Sequence, residues 1–185
     1  ISGNIPRALS VRNDFRLVEL SSTPPLSYNV FYSGWSALPN PNYSSTTIHH
    51  PQGDVKKISY DEDTLISSRY NAGPANTHWG VGFWEIGTTE TGSSGSPLFD
   101  NKKRIIGQLH GGSANCSVRA SDFYGKFSES WDFSNQSNEQ LKYWLDPDTT
   151  NVLVLDGLDP IAKAFNNDVV LDFLLDIPPF TCDTF

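Results

Sequence analysis

The chain has 185 residues, enough for one domain with a real core, and it is rich in aromatic residues, Gly and Pro but poor in charge. A formal net charge of -8 argues against a protein that grips nucleic acid, because phosphate binding needs a basic patch. No apolar run approaches the roughly 18 residues of a membrane span, so no membrane partner is expected; the chain opens at Ile1 without Met or a signal peptide, which reads as a processed or truncated product.

From the N-terminus, Phe15-Arg16-Leu17-Val18-Glu19-Leu20 alternates apolar and charged residues, as a half-buried strand does. Thr23-Pro24-Pro25 ends it. Asn29 to Trp35 predicts another strand, closed by the Pro39 and Pro41 loop. Thr46 to His50 and Val55 to Tyr60 predict a hairpin around the turn Pro51-Gln52-Gly53-Asp54. Trp79 to Ile86 predicts a strand, followed by a Gly, Ser and Thr loop from Gly87 to Pro97. Arg104 to Leu109, ending at Gly111-Gly112, and Phe123 to Phe127 predict the last strands. Ser137 and Gln140 have capping-box spacing, Leu141, Trp144 and Leu145 share one face, and Asp146-Pro147 stops the run, so one late helix is expected. Many short strands with a single late helix predict an all-β barrel or sandwich, not βαβ units. Beyond about Pro160 the character changes, and Asp168 to Phe185 alternates acidic and apolar residues. We therefore expect one domain over 1–160 and a linker, or the start of a further module, over 161–185.

The strongest chemical signal is Glu90-Thr91-Gly92-Ser93-Ser94-Gly95-Ser96-Pro97-Leu98-Phe99. A serine nucleophile needs an exposed hydroxyl on a tight turn, with backbone N–H groups aimed at the developing oxyanion. Gly92 gives the backbone angles closed to other residues, Gly95 allows close approach of substrate, and Pro97 sets the exit into a strand. Six such residues could also be an ordinary surface loop. The α/β-hydrolase elbow fits less well, since Ser96 stands where that motif has Gly.

Gly92-Ser93-Ser94-Gly95-Ser96-Pro97 resembles the nucleophile motif of trypsin-like proteases. Together with Ile106-Gly107-Gln108-Leu109-His110-Gly111-Gly112, Ser121-Asp122-Phe123-Tyr124-Gly125, Trp144-Leu145-Asp146-Pro147 and the weaker Ile48-His49-His50-Pro51, it makes the chain similar to the bacterial lysyl endopeptidases over roughly residues 10 to 160. The resemblance implies an antiparallel two-barrel trypsin-like fold, with the second barrel largely complete and the first partial, in a secreted enzyme. It implies acyl transfer to Ser94 and hydrolysis of peptide bonds in protein or peptide substrates, with no cofactor and no metal.

On the same resemblance the N–H groups of Gly92 and Ser94 form the oxyanion hole, and Asp14, in Asn13-Asp14-Phe15, is the triad acid. As a residue before a strand, Asp14 also reads as a turn former. The family order is His, Asp, Ser, yet no His precedes Asp14. The triad His is expected upstream of this chain, which alone would then be inactive. His49, His50 and His78 read as structural, and His110 as shaping the cleft beside Gly111, whose missing side chain leaves room for substrate backbone. Asp122 takes the place of the pocket acid that selects Lys, with Arg also open; Glu90 is the other acid nearby. Ser93 stands where an acid would receive an activating N-terminus, so Ile1 is not expected to play that part. Cys116 could pair with Cys182 or with a cysteine outside this chain. The rival reading is a non-catalytic relative that binds a peptide or a protein partner through the same cleft.

Overall fold

The computed structural model describes residues 3–40 and 44–161. Two antiparallel strands open the chain, β1 (Asn4–Ser10) and β2 (Phe15–Leu20), paired from Asn4 opposite Leu20 to Ser10 opposite Phe15 with a bulge at Pro6/Ala8. The expected strand at 15–20 is present at those bounds. Its partner β1 is interrupted by Pro6 and lacks clean alternation, and it went unrecognised in the sequence.

The remaining strands build a nine-stranded sheet. They are β3 (Gly34–Ser36), β4 (Ser45–His49), β5 (Lys57–Asp61), β6 (Ile66–Ser68), β7 (His78–Val81), β8 (Pro97–Phe99), β9 (Arg104–Gly112), β10 (Asp122–Lys126) and β11 (Val154–Leu155). The main order is β5-β4-β8-β9-β10-β7-β6, with β3 attached to β9 and β11 to β3. Every pairing is antiparallel except the short β3–β9 pair. The β4–β5 hairpin forms as expected, with Ile48 opposite Ile58. Asn29 to Ser33 is not a strand; Asn29 adopts a left-handed conformation after a 3-10 turn at Leu26–Tyr28. The strand expected to reach Ile86 stops at Val81, where Gly82 follows.

Alternate positions of β4 and β5 are buried, while β7 is buried along its whole length. Trp79, Val81, Leu98, Ile106, Leu109 and Tyr124 meet Leu65 and Trp84 in one core. A fully buried apolar side chain contributes roughly 1.5–3 kcal/mol, so this cluster is the main support of the sheet. A second core joins the β1–β2 hairpin to the large sheet through Ala8, Phe15, Trp35, Phe127 and Trp131. Trp35 stacks on Phe127 at 5.4 Å in that core.

Two short helices follow β10: α1 (Phe127–Trp131), which the sequence did not reveal, and α2 (Lys142–Leu145). The capping box does not form. Ser137 begins a 3-10 turn, Ser137–Glu139, whose cap is Gln136, and α2 starts only at Lys142. Asp146 then ends it, accepting hydrogen bonds from Thr150 and from the Asn151 N–H. The architecture is all-β and largely antiparallel, as expected for the trypsin-like fold, with a two-stranded hairpin docked on a nine-stranded sheet. The segment from 162 onward, with its expected linker, lies outside the described residues.

Candidate functional site

The loop between β7 and β8 carries Ser94 on a tight turn. Gly92 has φ +98° and Gly95 φ +80°, a region L side chains rarely adopt, so glycine is required at both. A Cβ on Gly92 would also press on the backbone of His50 and Gly53, whereas one on Gly95 would meet open space. The turn is fixed by Ser93 N–H to Glu90 O (3.0 Å), Ser96 N–H to Ser93 O (3.0 Å) and Gly95 N–H to Leu109 O on β9 (2.8 Å). Among the described residues no hydrogen bond engages the N–H of Gly92 or Ser94. Both are available to an acceptor in the cavity that these residues line.

The turn after β4 props this loop from behind. Gln52 N–H donates to Thr91 O at 2.7 Å, and the Gln52 amide donates to Glu90 at 3.2 Å. Glu90 also accepts the Cys116 N–H at 2.8 Å. Glu90 is therefore half-buried and held between two loops, not a residue of an exposed stretch. Cys116 is disulfide-bonded; Cys182 lies outside the described residues.

Ser94, Gly92, His110, Gly111 and Asp122 share one cavity of about 600 Å3. Asp122 opens β10, lines that space and is only 1% exposed. Its Oδ2 accepts hydrogen bonds from Thr89 Oγ1 (2.6 Å) and Trp84 Nε1 (2.8 Å). Burial raises its carboxyl above the ordinary value, while the Thr89 and Trp84 donors pull it back down. Gly112 sits opposite Asp122 in the β9–β10 register, and a Cβ there would overlap Asp122 Oδ1. Gly111 likewise leaves room for the Tyr70 hydroxyl. Thr89, Trp84 and Tyr70 gave no signal of their own in the sequence; only their packing around Asp122 and His110 singles them out.

Asp14 reaches the same region from the β1–β2 turn. It has φ +57°, and its Oδ2 lies 3.8 Å from His110 Nε2. What holds it there is Asn13, fully buried, whose amide donates to Lys126 O (2.9 Å) and Ser130 Oγ (2.6 Å). Gln108 Nε2 donates to the carbonyl of Asn13 at 2.9 Å, and Gly125 leaves the space that this carbonyl fills.

His110 packs against Tyr70, with ring centroids 4.1 Å apart and planes tilted by 39°, and its Nδ1 lies 2.9 Å from Nε2 of His78. The proton positions follow from chemistry. Thr77 donates its hydroxyl to Pro74 O, so it must accept from His78 Nδ1–H. His78 Nε2 is then an acceptor, and His110 donates from Nδ1. Burial lowers the His78 pKa to about 4, with His110 adding to the effect, so His78 is neutral at pH 7.

Among the described residues, Asp61, Asp63 and Glu85 place carboxylates within 4.8 Å of one another, away from this cavity. Asp61 accepts the Asp63 N–H, an ordinary turn contact, and Glu85 accepts the Glu62 N–H from across the chain.

The family model for the C-terminal domain of lysyl endopeptidase matches residues 1–125. The chain is 36% identical over 138 residues to the lysyl endopeptidase of Pseudomonas aeruginosa, an alignment that takes in 72% of this chain and 28% of that protein. The crystal structure of Rv3671c from M. tuberculosis H37Rv, in an inactive form, superposes with a TM-score of 0.44 at 15% identity, covering 66% of this chain and 58% of that one. The chain thus spans little more than a quarter of its curated relative, and within that span it belongs to the lysyl endopeptidase branch of the trypsin-like serine proteases.

Proposed function

We propose that this chain carries the nucleophile and the specificity pocket of a secreted serine endopeptidase that cuts peptide bonds after Lys, with Arg as the possible second choice of the same pocket. The observation that carries the reading is one cavity lined by both Ser94 and the buried acid Asp122. Ser94 Oγ attacks the scissile carbonyl and gives up its proton to a general base. The oxyanion that forms takes hydrogen bonds from the Gly92 and Ser94 N–H groups. Collapse expels the amine, which leaves with that proton, and water then hydrolyses the acyl-serine. A Lys side chain entering the cavity loses its water shell, and Asp122 replaces part of that solvation. Its Thr89 and Trp84 donors keep Oδ2 anchored.

The general base is a His N-terminal to Asp14 in a longer protein, and Asp14 orients it and stabilises its imidazolium form. Residues 1–160 act as the protease portion and 161–185 as a linker or the start of another module. A second reading is favoured by the 3.8 Å approach of His110 to Asp14: His110 itself serves as the base. Assay of the purified 185-residue chain on a Lys ester separates the two. The first reading predicts no more than the ~10³–10⁴-fold acceleration that a triad lacking one member retains. Turnover at ordinary protease rates, abolished by His110→Ala, establishes the second. If the full-length protein fails to cleave after Lys, or still does so as Ser94→Ala, the endopeptidase reading is wrong.

A further inference from the structure

Ser93 stands between Gly92 and Ser94, which line the cavity and whose N–H groups are not engaged among the described residues, and it is only 1% exposed. Trypsin-like enzymes that use a new N-terminus hold this position with an ion pair. Ser93 instead meets His49, at the end of β4, with Oγ 2.8 Å from Nδ1. His49 is also 1% exposed, and its Nε2 lies 3.0 Å from Ser59 Oγ on β5. Ser59 in turn donates to Thr88 O at 3.0 Å, and the Glu90 N–H donates to Ser93 Oγ at 3.2 Å.

With His49 neutral, these contacts order the protons. A carbonyl only accepts, so the Ser59 hydrogen lies on the Thr88 side, and Ser59 Oγ must accept from His49 Nε2–H. Neutral His49 then has its lone pair on Nδ1, where it accepts the Ser93 hydroxyl hydrogen. Ser93 Oγ remains free to accept the Glu90 N–H. The result is a directed path, Glu90 N–H to Ser93 O–H to His49 Nδ1, then His49 Nε2–H to Ser59 O–H to Thr88 O. Both ends of the path lie on the strand of chain that leads into Ser94. It also sets the direction of the next peptide. Ser93 O is turned to Ser96 N–H, and in a trans peptide the Ser94 N–H points the opposite way.

We infer that His49 is a positioning residue for the oxyanion hole, holding Ser93 through a neutral hydrogen-bond relay that does the work of the activating ion pair. The inference rests on the proposed role of Gly92 and Ser94. It assigns no proton transfer to His49, which does not touch the cavity. Burial lowers its pKa to about 4, with His50 adding to the effect, in keeping with a ring that stays neutral.

The test uses the full-length protein at pH 7. Ser93→Ala and His49→Leu are each expected to lower kcat on a Lys ester by about 10²–10³-fold, the loss typical of a disabled oxyanion donor, with KM within threefold. The double variant is expected to be no worse than the weaker single one by more than about threefold. His49→Asn, whose amide oxygen can take the place of Nδ1, is expected to recover at least tenfold of the loss. A lysine boronate, which puts an oxygen in the oxyanion hole, should lose affinity in step with kcat, while a simple alkylamine that fills only the pocket should not. Unchanged kcat in Ser93→Ala, or losses that multiply in the double variant, would overturn the inference. Imidazole nitrogen NMR gives a reading independent of activity: His49 must be the neutral Nε2–H tautomer. An Nδ1–H tautomer overturns the relay even if the protein proves inactive on Lys substrates, an outcome that would count against the endopeptidase reading alone.

Discussion

At the scale of single residues, Asp122 and the buried histidines carry the two sharpest expectations. Asp122 is held by two donors on one oxygen and sealed from water. Removing one partner of a buried charge pair costs about 2–5 kcal/mol, or roughly 30- to several-thousand-fold in kcat/KM. Asp122→Asn in the full-length protein should therefore reduce activity on Lys substrates by that factor and spare small apolar ones. If the Lys-to-Ala selectivity ratio does not change, the pocket acid lies elsewhere, and Glu90, fixed by Gln52 and Cys116, is the next to test. His49 and His78 both have a pKa of about 4 because burial disfavours the charged ring. An unfolded chain takes up a proton on each near pH 6.5. Between pH 6.5 and 4 the unfolded state thus binds more protons, so each ring's contribution is complete above pH 6.5 and is lost as pH falls to 4. The loss is about 3 kcal/mol per ring at about 1.4 kcal/mol per pH unit. Asp61 works in the opposite sense: burial raises its pKa to about 6, so its contribution is present at low pH and lost as pH rises from about 4 to 6. A variant comparison removes that background. Urea unfolding of His78→Gln should lose about 2–3 kcal/mol less than the parent between pH 7 and pH 4. Equal losses in the two proteins would show that His78 titrates normally.

At the scale of elements, the position of Asp14 depends on how the β1–β2 turn docks on β10. Gly125 has no Cβ because the Asn13 carbonyl occupies that space, and Gln108 clamps the same carbonyl. In Gly125→Ala the hairpin tip must lift or the strand must shift. Overpacking of this kind typically costs 1–3 kcal/mol, read by urea unfolding. The kcat of the full-length protein should fall by at least tenfold as Asp14 moves, with labelling of Ser94 by a small phosphonate less affected. Wild-type stability and kcat in Gly125→Ala would contradict the docking. This geometry also shows what could be read from sequence. β2, β4, β5 and β10 were visible because one face of each is buried and the residues alternate. β1 and β6 were not: β1 is interrupted by Pro6 and lacks alternation, and β6 has only three residues; of β8 only its start at Pro97 was visible. The late helix was foreseen but misplaced, because Trp144 Nε1–H bonds back to Ser137 O and a 3-10 turn replaces the cap.

At the scale of the whole molecule, the cavity is built by residues far apart in sequence. Thr89 and Ser94 come from one loop, His110 to Gly112 from β9, Asp122 from β10 and Tyr70 from the segment before β7. The loop glycines around Ser94 were legible because each demands a backbone angle that only glycine adopts freely. The roles proposed for Asp122 and Asp14 rest on the resemblance alone, since a lone acid at a strand start carries no local signature. The support from Asn13, Thr89, Trp84, Tyr70 and the His49–Ser93 relay was not legible, because it exists only where strands remote in the chain pack together. The account stands or falls on which hydroxyl all this surrounds. Treat the full-length protein with a fluorophosphonate and map the label by peptide sequencing. The account predicts label on Ser94 alone, lost in Ser94→Ala; label on Ser93 or Ser96, or label that survives Ser94→Ala, would contradict it.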